Sequence, residues 1–251
     1  MLIFIVTLQS REVCKDWERV SRICVRTLRS LCQQTVENYR VYLVCNQAPA
    51  GIFSRSNLQV LEVDVPVPNI NVREECLHDK FRKLAYGLAE ARTHAPAYIM
   101  PVDMDDLVRR DLAAYVAKHS LCHGWVMHKG FIYDEGAPFA YLTKNKLNAL
   151  CGTSYIVYSE KEDLPETGDA PLEDYLLLAN GHTVIEETCS NMRKPLHHLS
   201  FPGVVYMRST GANISGFAMK NWRSRKMLLS KLLNYRWVSK SFRHRYGLWP
   251  L

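Results

Sequence analysis

The chain has 251 residues, 47% of them apolar and 23% charged, which suits one large globular domain, or one domain plus an appendage, with an ample core. No stretch approaches the roughly 18 uninterrupted apolar residues of a membrane span, and the eight cysteines are scattered without a CxxC pair, so a disulfide framework is excluded and reduced, buried thiols are expected. The net charge of +7 is local: nine of the 32 Lys and Arg fall between Lys220 and Leu251, which holds no Asp or Glu, leaving 23 basic residues against 25 acidic ones in the rest.

Strands and helices alternate from the first residues. Met1 to Thr7 is short, apolar and without a basic leader, so it reads as an opening strand and not a signal peptide; a cytoplasmic protein is expected. Asp16 to Gln34 carries Val20, Ile23, Cys24, Leu28 and Leu31 at helical spacing, and Arg40 to Cys45 is again strand-like. Leu58 to Val63 supplies a third strand, Glu74 to His94 a second helix with Leu77, Phe81, Leu84, Leu88 and Ala91 on one face, and Ala97 to Val102 a fourth strand. This alternation predicts an α/β domain with a mostly parallel sheet, ligands binding beyond the carboxyl ends of its strands.

Asp103-Met104-Asp105-Asp106 lies at one such end. Three carboxylates in four residues repel one another, so they require a cation, a basic partner or a raised pKa. If strand geometry persists, Asp103 and Asp105 point one way and Asp106 the other. Mg²⁺ or Mn²⁺ held there would keep positions free for phosphate oxygens. A solvated turn capping a helix that begins near Leu107 is the alternative. His119, Cys122, His123 and His128 resemble a zinc cluster superficially, but no partner pair accompanies them.

Further along, Trp125 to Glu135 and Phe139 to Thr143 are aromatic and strand-like, and Ser159 to Pro171 forms an acidic loop. Glu173 and Asp174 precede a short apolar helix, Tyr175 to Ala179, that closes on Asn180-Gly181. Thr183 to Glu187 reads as a strand, followed by a loop to His197-His198. Leu228, Leu229, Leu232, Leu233 and Trp237 mark an amphipathic helix in a basic tail, 219–251, set apart from the domain of residues 1–218. A basic face opposite Trp and Leu suits an anionic membrane surface at the inner face of the membrane. No recognised module suggests nucleic acid.

In this order the chain resembles the metal-dependent GT-A glycosyltransferases, family 2-like enzymes that use nucleotide sugars. The resemblance is carried by Thr7, by Thr27-Leu28-Arg29-Ser30-Leu31-Cys32-Gln33-Gln34-Thr35, and by Asp79-Lys80 with Lys83-Leu84-Ala85. Asp103-Met104-Asp105, Leu172-Glu173-Asp174 and Gly181-His182 continue it, over about 180 residues. It implies that Asp103 and Asp105 hold Mn²⁺ or Mg²⁺ against the donor diphosphate, with His197 or His198 as a late ligand. It also implies that Asp174, with Glu173 beside it, takes the acceptor proton, and that Thr7, Gln9, Asn46, Glu62, Asp64, Lys80 and Lys83 contact the nucleotide.

Asn46 stands where many relatives carry Asp, which leaves the choice among UDP-, GDP- and dTDP-linked donors open. The implied function is transfer of a sugar, with inversion, to a saccharide or lipid-linked acceptor. A GT-A-like nucleotide-binding or scaffold protein without turnover is the alternative. A nucleotidyltransferase is disfavoured by the lack of a Gly-rich phosphate loop near the first strand.

Overall fold

Period-two alternation in β1 (Leu2–Thr7) sets up two apolar layers on opposite faces of one sheet. In the computed structural model, which describes residues 1–179, 181–208 and 233–251, Leu2, Phe4 and Val6 pack into one cluster and Ile3 and Ile5 into the other. β2 (Tyr39–Cys45) and β4 (Ala97–Asp103) alternate in the same way. Val20, Cys24, Leu28 and Leu31 of α1 (Trp17–Leu31) cover the first face; Leu84, Leu88 and Ala91 of α2 (Arg73–Ala91) cover the second. Asp16 caps α1 by accepting the Arg19 N–H at 2.9 Å, an interaction worth about 1 kcal/mol. Gly87 lets α2 approach closely, since a Cβ there would lie 2.4 Å from Ile5 Cγ2.

β3 (Leu58–Glu62), β6 (Gly124–Val126), β9 (Tyr155–Ser159) and β10 (His197–His198) complete a seven-stranded sheet in the order β10-β6-β9-β4-β1-β2-β3. The βαβ opening is as the sequence predicts, with β4, β1, β2 and β3 parallel. The whole sheet, however, is mixed, because β9 runs antiparallel to both β4 and β6 while β10 runs parallel to β6. Six strands therefore end at one edge, and the acidic turn sits on it.

A second sheet, β12-β8-β7-β11-β5, is built from β5 (Leu107–Val108), β7 (Gly130–Asp134), β8 (Phe139–Thr143), β11 (Val204–Arg208) and β12 (Tyr235–Trp237). The shorter helices are α3 (Leu112–Lys118), α4 (Leu176–Ala179), α5 (Ile185–Asn191) and α6 (Lys240–Tyr246).

Three expectations need correction. The residues after the acidic turn form β5, not a helix, and the helix begins only at Leu112. The strand expected over Thr183 to Glu187 is the start of α5, because Ile185 and Cys189, one turn apart, are both buried. Trp237 belongs to strand β12, opposite Phe139 of β8, and not to an amphipathic helix; Leu228, Leu229 and Leu232 of that helix, Asn180, and the expected boundary at 218/219 lie outside the described residues.

The end of the chain is built into the body of the molecule. Val238, Tyr246 and Leu248 are buried with Phe131, Tyr133, Val205 and Met207. The Ser30 hydroxyl of α1 donates to the Tyr246 carbonyl at 2.7 Å and accepts the Val108 N–H at 2.9 Å. No described helix is long and apolar enough to cross a membrane.

Candidate functional site

β4 delivers Asp103 to the sheet edge, and the chain turns at once: the Asp106 N–H donates to the Asp103 carbonyl at 3.1 Å. Strand geometry thus ends at Asp103, and the three carboxylates diverge. Asp106 is fully buried, accepting from the Thr153 hydroxyl at 2.6 Å, the Cys151 thiol at 3.1 Å and the Met207 N–H at 3.0 Å. Burial, reinforced by the charges of Asp105 and Asp103, pushes its carboxyl well above the usual range. Asp105 is buried at the turn.

Asp103, the most accessible of the three, has the basic partner that the cluster requires. The Lys80 ammonium donates to its Oδ1 at 2.5 Å. Burial opposes ionisation of Asp103, but Lys80, then His182 and the Gly152 N–H, outweigh it and hold the carboxyl below its ordinary value. Burial also works against the Lys80 charge, and Asp103 outweighs that, so the ammonium is held more firmly than usual. The repulsion is relieved by one ion pair and one raised pKa.

Beside this pair a small cleft of about 40 Å³ opens between α2 and the sheet, lined by Thr7, Lys80, Phe81, Tyr155, Leu178 and His182 among others. That volume is well below the roughly 300–1,000 Å³ of drug-sized small-molecule sites. The Tyr155 hydroxyl donates to the Leu178 carbonyl at 2.8 Å and Tyr175 to the Phe81 carbonyl at 3.3 Å, fixing α4 over α2. Gly152 permits close passage of the chain, since a Cβ there would lie 2.6 Å from Asp103 Oδ2. Asp103 and Asp105 offer hard oxygen donors, and Mg²⁺ or Mn²⁺ commonly takes one or two carboxylates and completes its shell with phosphate and water. The donor set fits.

The other predicted residues divide. Thr7 lines the cleft. Gln9 donates to Cys14 Sγ at 3.1 Å. Asn46 accepts from the Ser10 hydroxyl at 2.6 Å and donates to the Val65 carbonyl at 2.7 Å, tying the ends of β1 and β2 to the loop after β3. Glu62, the last residue of β3, and Asp64, two residues further on, are exposed. Lys83 departs from expectation: it is fully buried, with its ammonium on Asp79 at 2.9 Å and on Ser10 at 3.2 Å. One helical turn from Lys80, it points into the interior and is not available to a phosphate. Glu173 and Asp174 are exposed and outside the cleft lining.

His197 and His198 do not join the acidic turn. His198 instead meets Glu186 and His128, and these form the only group of three or more potential ligands whose atoms converge among the described residues. Cys122, from the zinc-like spacing, turns its thiol to the His119 carbonyl at 3.7 Å, so that cluster does not assemble. Sequence reasoning missed Glu186 as a partner of histidine, along with Thr153 and Cys151 as partners of Asp106. None has a local signal, because each contact closes over 12 to 58 residues.

Comparison with known proteins brings no match, either to a family model or to a curated protein.

Proposed function

We propose that the chain is a GT-A-type glycosyltransferase that moves a sugar from a nucleotide-sugar donor to a saccharide or lipid-linked acceptor. The observation that carries the reading is the Lys80–Asp103 pair, set at the mouth of a cleft on the edge where six strands end. In doubly wound α/β sheets that edge is where ligands bind.

Lys80 binds the donor diphosphate, and Asp103 with Asp105 holds Mg²⁺ or Mn²⁺. When bound, the dication supplies positive charge against the leaving diphosphate. Thr7 and the apolar walls of Phe81 and Leu178 orient the donor. Asp174 accepts the proton of the acceptor hydroxyl as the acceptor oxygen bonds to the anomeric carbon and the carbon–oxygen bond to the diphosphate breaks, with inversion. The basic segment 220–231 directs the protein to an anionic surface on the cytoplasmic side, where lipid-linked acceptors reside.

A second reading, a nucleotide-binding or scaffold protein of the same architecture without turnover, draws on the exposed position of Glu173 and Asp174 outside the cleft lining. Screening UDP-, GDP- and dTDP-linked sugars for Mn²⁺- or Mg²⁺-dependent hydrolysis separates the two. The glycosyltransferase reading expects one donor to be hydrolysed and Asp103→Asn to abolish the reaction. Binding of a donor with no hydrolysis or transfer supports the scaffold, and neither binding nor turnover contradicts both.

A further inference from the structure

The imidazoles of His128 and His198 are brought together by backbone pairing. His198 ends β10 directly opposite Val126 of β6, and His128 follows Val126 by two residues. The Leu199 N–H donates to the Val126 carbonyl at 3.0 Å, the Met127 N–H to the Ser154 carbonyl at 2.7 Å and the Leu147 N–H to the His128 carbonyl at 3.2 Å, which fixes the chain around both histidines. Glu186 reaches them from the first turn of α5, a helix anchored by the buried Ile185 and Cys189.

The resulting geometry is specific. Glu186 Oε2 lies 2.9 Å from His128 Nε2, and Oε1 lies 2.9 Å from His198 Nε2. The two rings stack with centroids 4.3 Å apart and planes inclined by 28°. One atom from each of the three side chains lies within 4.8 Å of the others. Zinc bonds of about 2.0–2.1 Å at tetrahedral angles set neighbouring ligand atoms roughly 3.3 Å apart, so each 2.9 Å histidine–carboxylate contact opens by a few tenths of an ångström, and no other separation in the cluster closes by more than about 1.5 Å.

We propose that His128, Glu186 and His198 form a binding site for a zinc-class transition-metal ion, with two imidazole nitrogens and one carboxylate oxygen as ligands and a fourth position open to water or an exogenous ligand. Imidazole-rich sets favour Zn²⁺ over the hard cations that an all-oxygen site takes. The site is separate from the acidic turn. β10 is three strand steps from β4, roughly 14 Å at about 4.8 Å per step, and neither Asp103 nor Asp105 contributes to it. It shares the carboxyl edge with the cleft but does not rest on what the cleft binds.

The test is titration of the full chain with Zn²⁺, and with Co²⁺ as a spectroscopic probe, in the wild type, His198→Ala, Glu186→Gln and the Asp103→Asn/Asp105→Asn double variant. The wild type is expected to bind one equivalent of Zn²⁺. Affinity should fall at least roughly tenfold in His198→Ala and in Glu186→Gln and stay unchanged in the double variant, with no thiolate charge-transfer band in the Co²⁺ complex. His198 is largely exposed, and Glu186→Gln preserves shape, so urea midpoints of the apo forms will show that a loss of affinity is not a loss of fold. Absence of Zn²⁺ binding, wild-type affinity in either single variant, loss of the ion in the double variant, or a thiolate band from any of the eight cysteines would overturn the proposal.

Discussion

Asp103 and Asp106, three residues apart, respond to the same repulsion in opposite ways, one with its carboxyl held below the ordinary value beside Lys80 and one with its carboxyl pushed well above it by burial. The pH consequences follow in sign. Asp106 has a folded-state pKa raised above the unfolded 3.8, so the folded state binds the proton more tightly, and stability from this group is lost as pH rises from 3.8 through the folded value. Asp106→Asn removes that loss while keeping an oxygen for the Met207 N–H, and the Thr153 hydroxyl can turn to accept from the new amide. Urea unfolding at a series of pH values should show the variant gaining on the wild type as pH rises. A constant difference would contradict the upward shift of the buried carboxyl.

Asp103 works the other way: its lowered pKa contributes stability above 3.8 that is lost as pH falls through the folded value. Lys80 and Lys83 form a second contrasting pair. Lys83→Met leaves the buried Asp79 without its cation and should cost about 3–5 kcal/mol. Lys80→Met removes a partly exposed partner and should lower the urea midpoint less than Lys83→Met does, while weakening nucleotide binding. From the sequence, the need for charge relief at positions 103–106 was legible from repulsion alone. Which lysine supplied it was not, because both lie at helix positions whose orientation depends on how α2 seats on the sheet.

At the scale of elements, periodicity was sufficient wherever a segment packs along its whole length. α1 and α2 show their buried faces at helical spacing, and β1, β2 and β4 are apolar on both faces, as strands covered by helices on both sides must be. It failed for short segments. Thr183 and Val184 suggest a strand by β-branching, yet one buried turn at Ile185 and Cys189 decides for α5. The β6–β10 pairing spans two or three residues per strand, too few for alternation to register, so the His128–Glu186–His198 convergence has no sequence signature.

The loop before α4 carries the catalytic prediction. Asp174→Asn should lower kcat by about 10²–10⁴ with donor affinity retained, since a base acting on the acceptor contributes little to ground-state donor binding. Loss in Glu173→Gln with Asp174→Asn active would transfer the role to the neighbour, and full activity in both would remove the pair from catalysis.

Over the whole molecule, the charge asymmetry read from the sequence stands, but the tail that carries it is not a detachable appendage over its final residues. Leu248 and Tyr246 are buried beside Phe131 and against α1, so Leu248→Ala should cost about 2–5 kcal/mol. The cationic side chains of 220–231 carry the membrane prediction. Replacing Arg223, Arg225, Lys226 and Lys231 by Gln should weaken binding to anionic vesicles at low salt, by an attraction of order 1 kcal/mol per charge, without moving the thermal midpoint. Equal vesicle binding in wild type and variant would refute the membrane role. The tail's basic composition was legible; its docking was not, because three residues of β12 and one buried Leu-Tyr pair leave no periodic trace.

The most direct measurement of the central claim is calorimetric titration of the full chain with UDP-, GDP- and dTDP-linked sugars in the presence and absence of Mn²⁺, repeated with Asp103→Asn and Lys80→Met. The account predicts that one donor class binds in a Mn²⁺-dependent manner, and that both variants lose at least roughly tenfold in affinity, about 1.4 kcal/mol, while remaining folded. Binding that is indifferent to Mn²⁺ and to both substitutions, or no binding of any of the three donors, would contradict it.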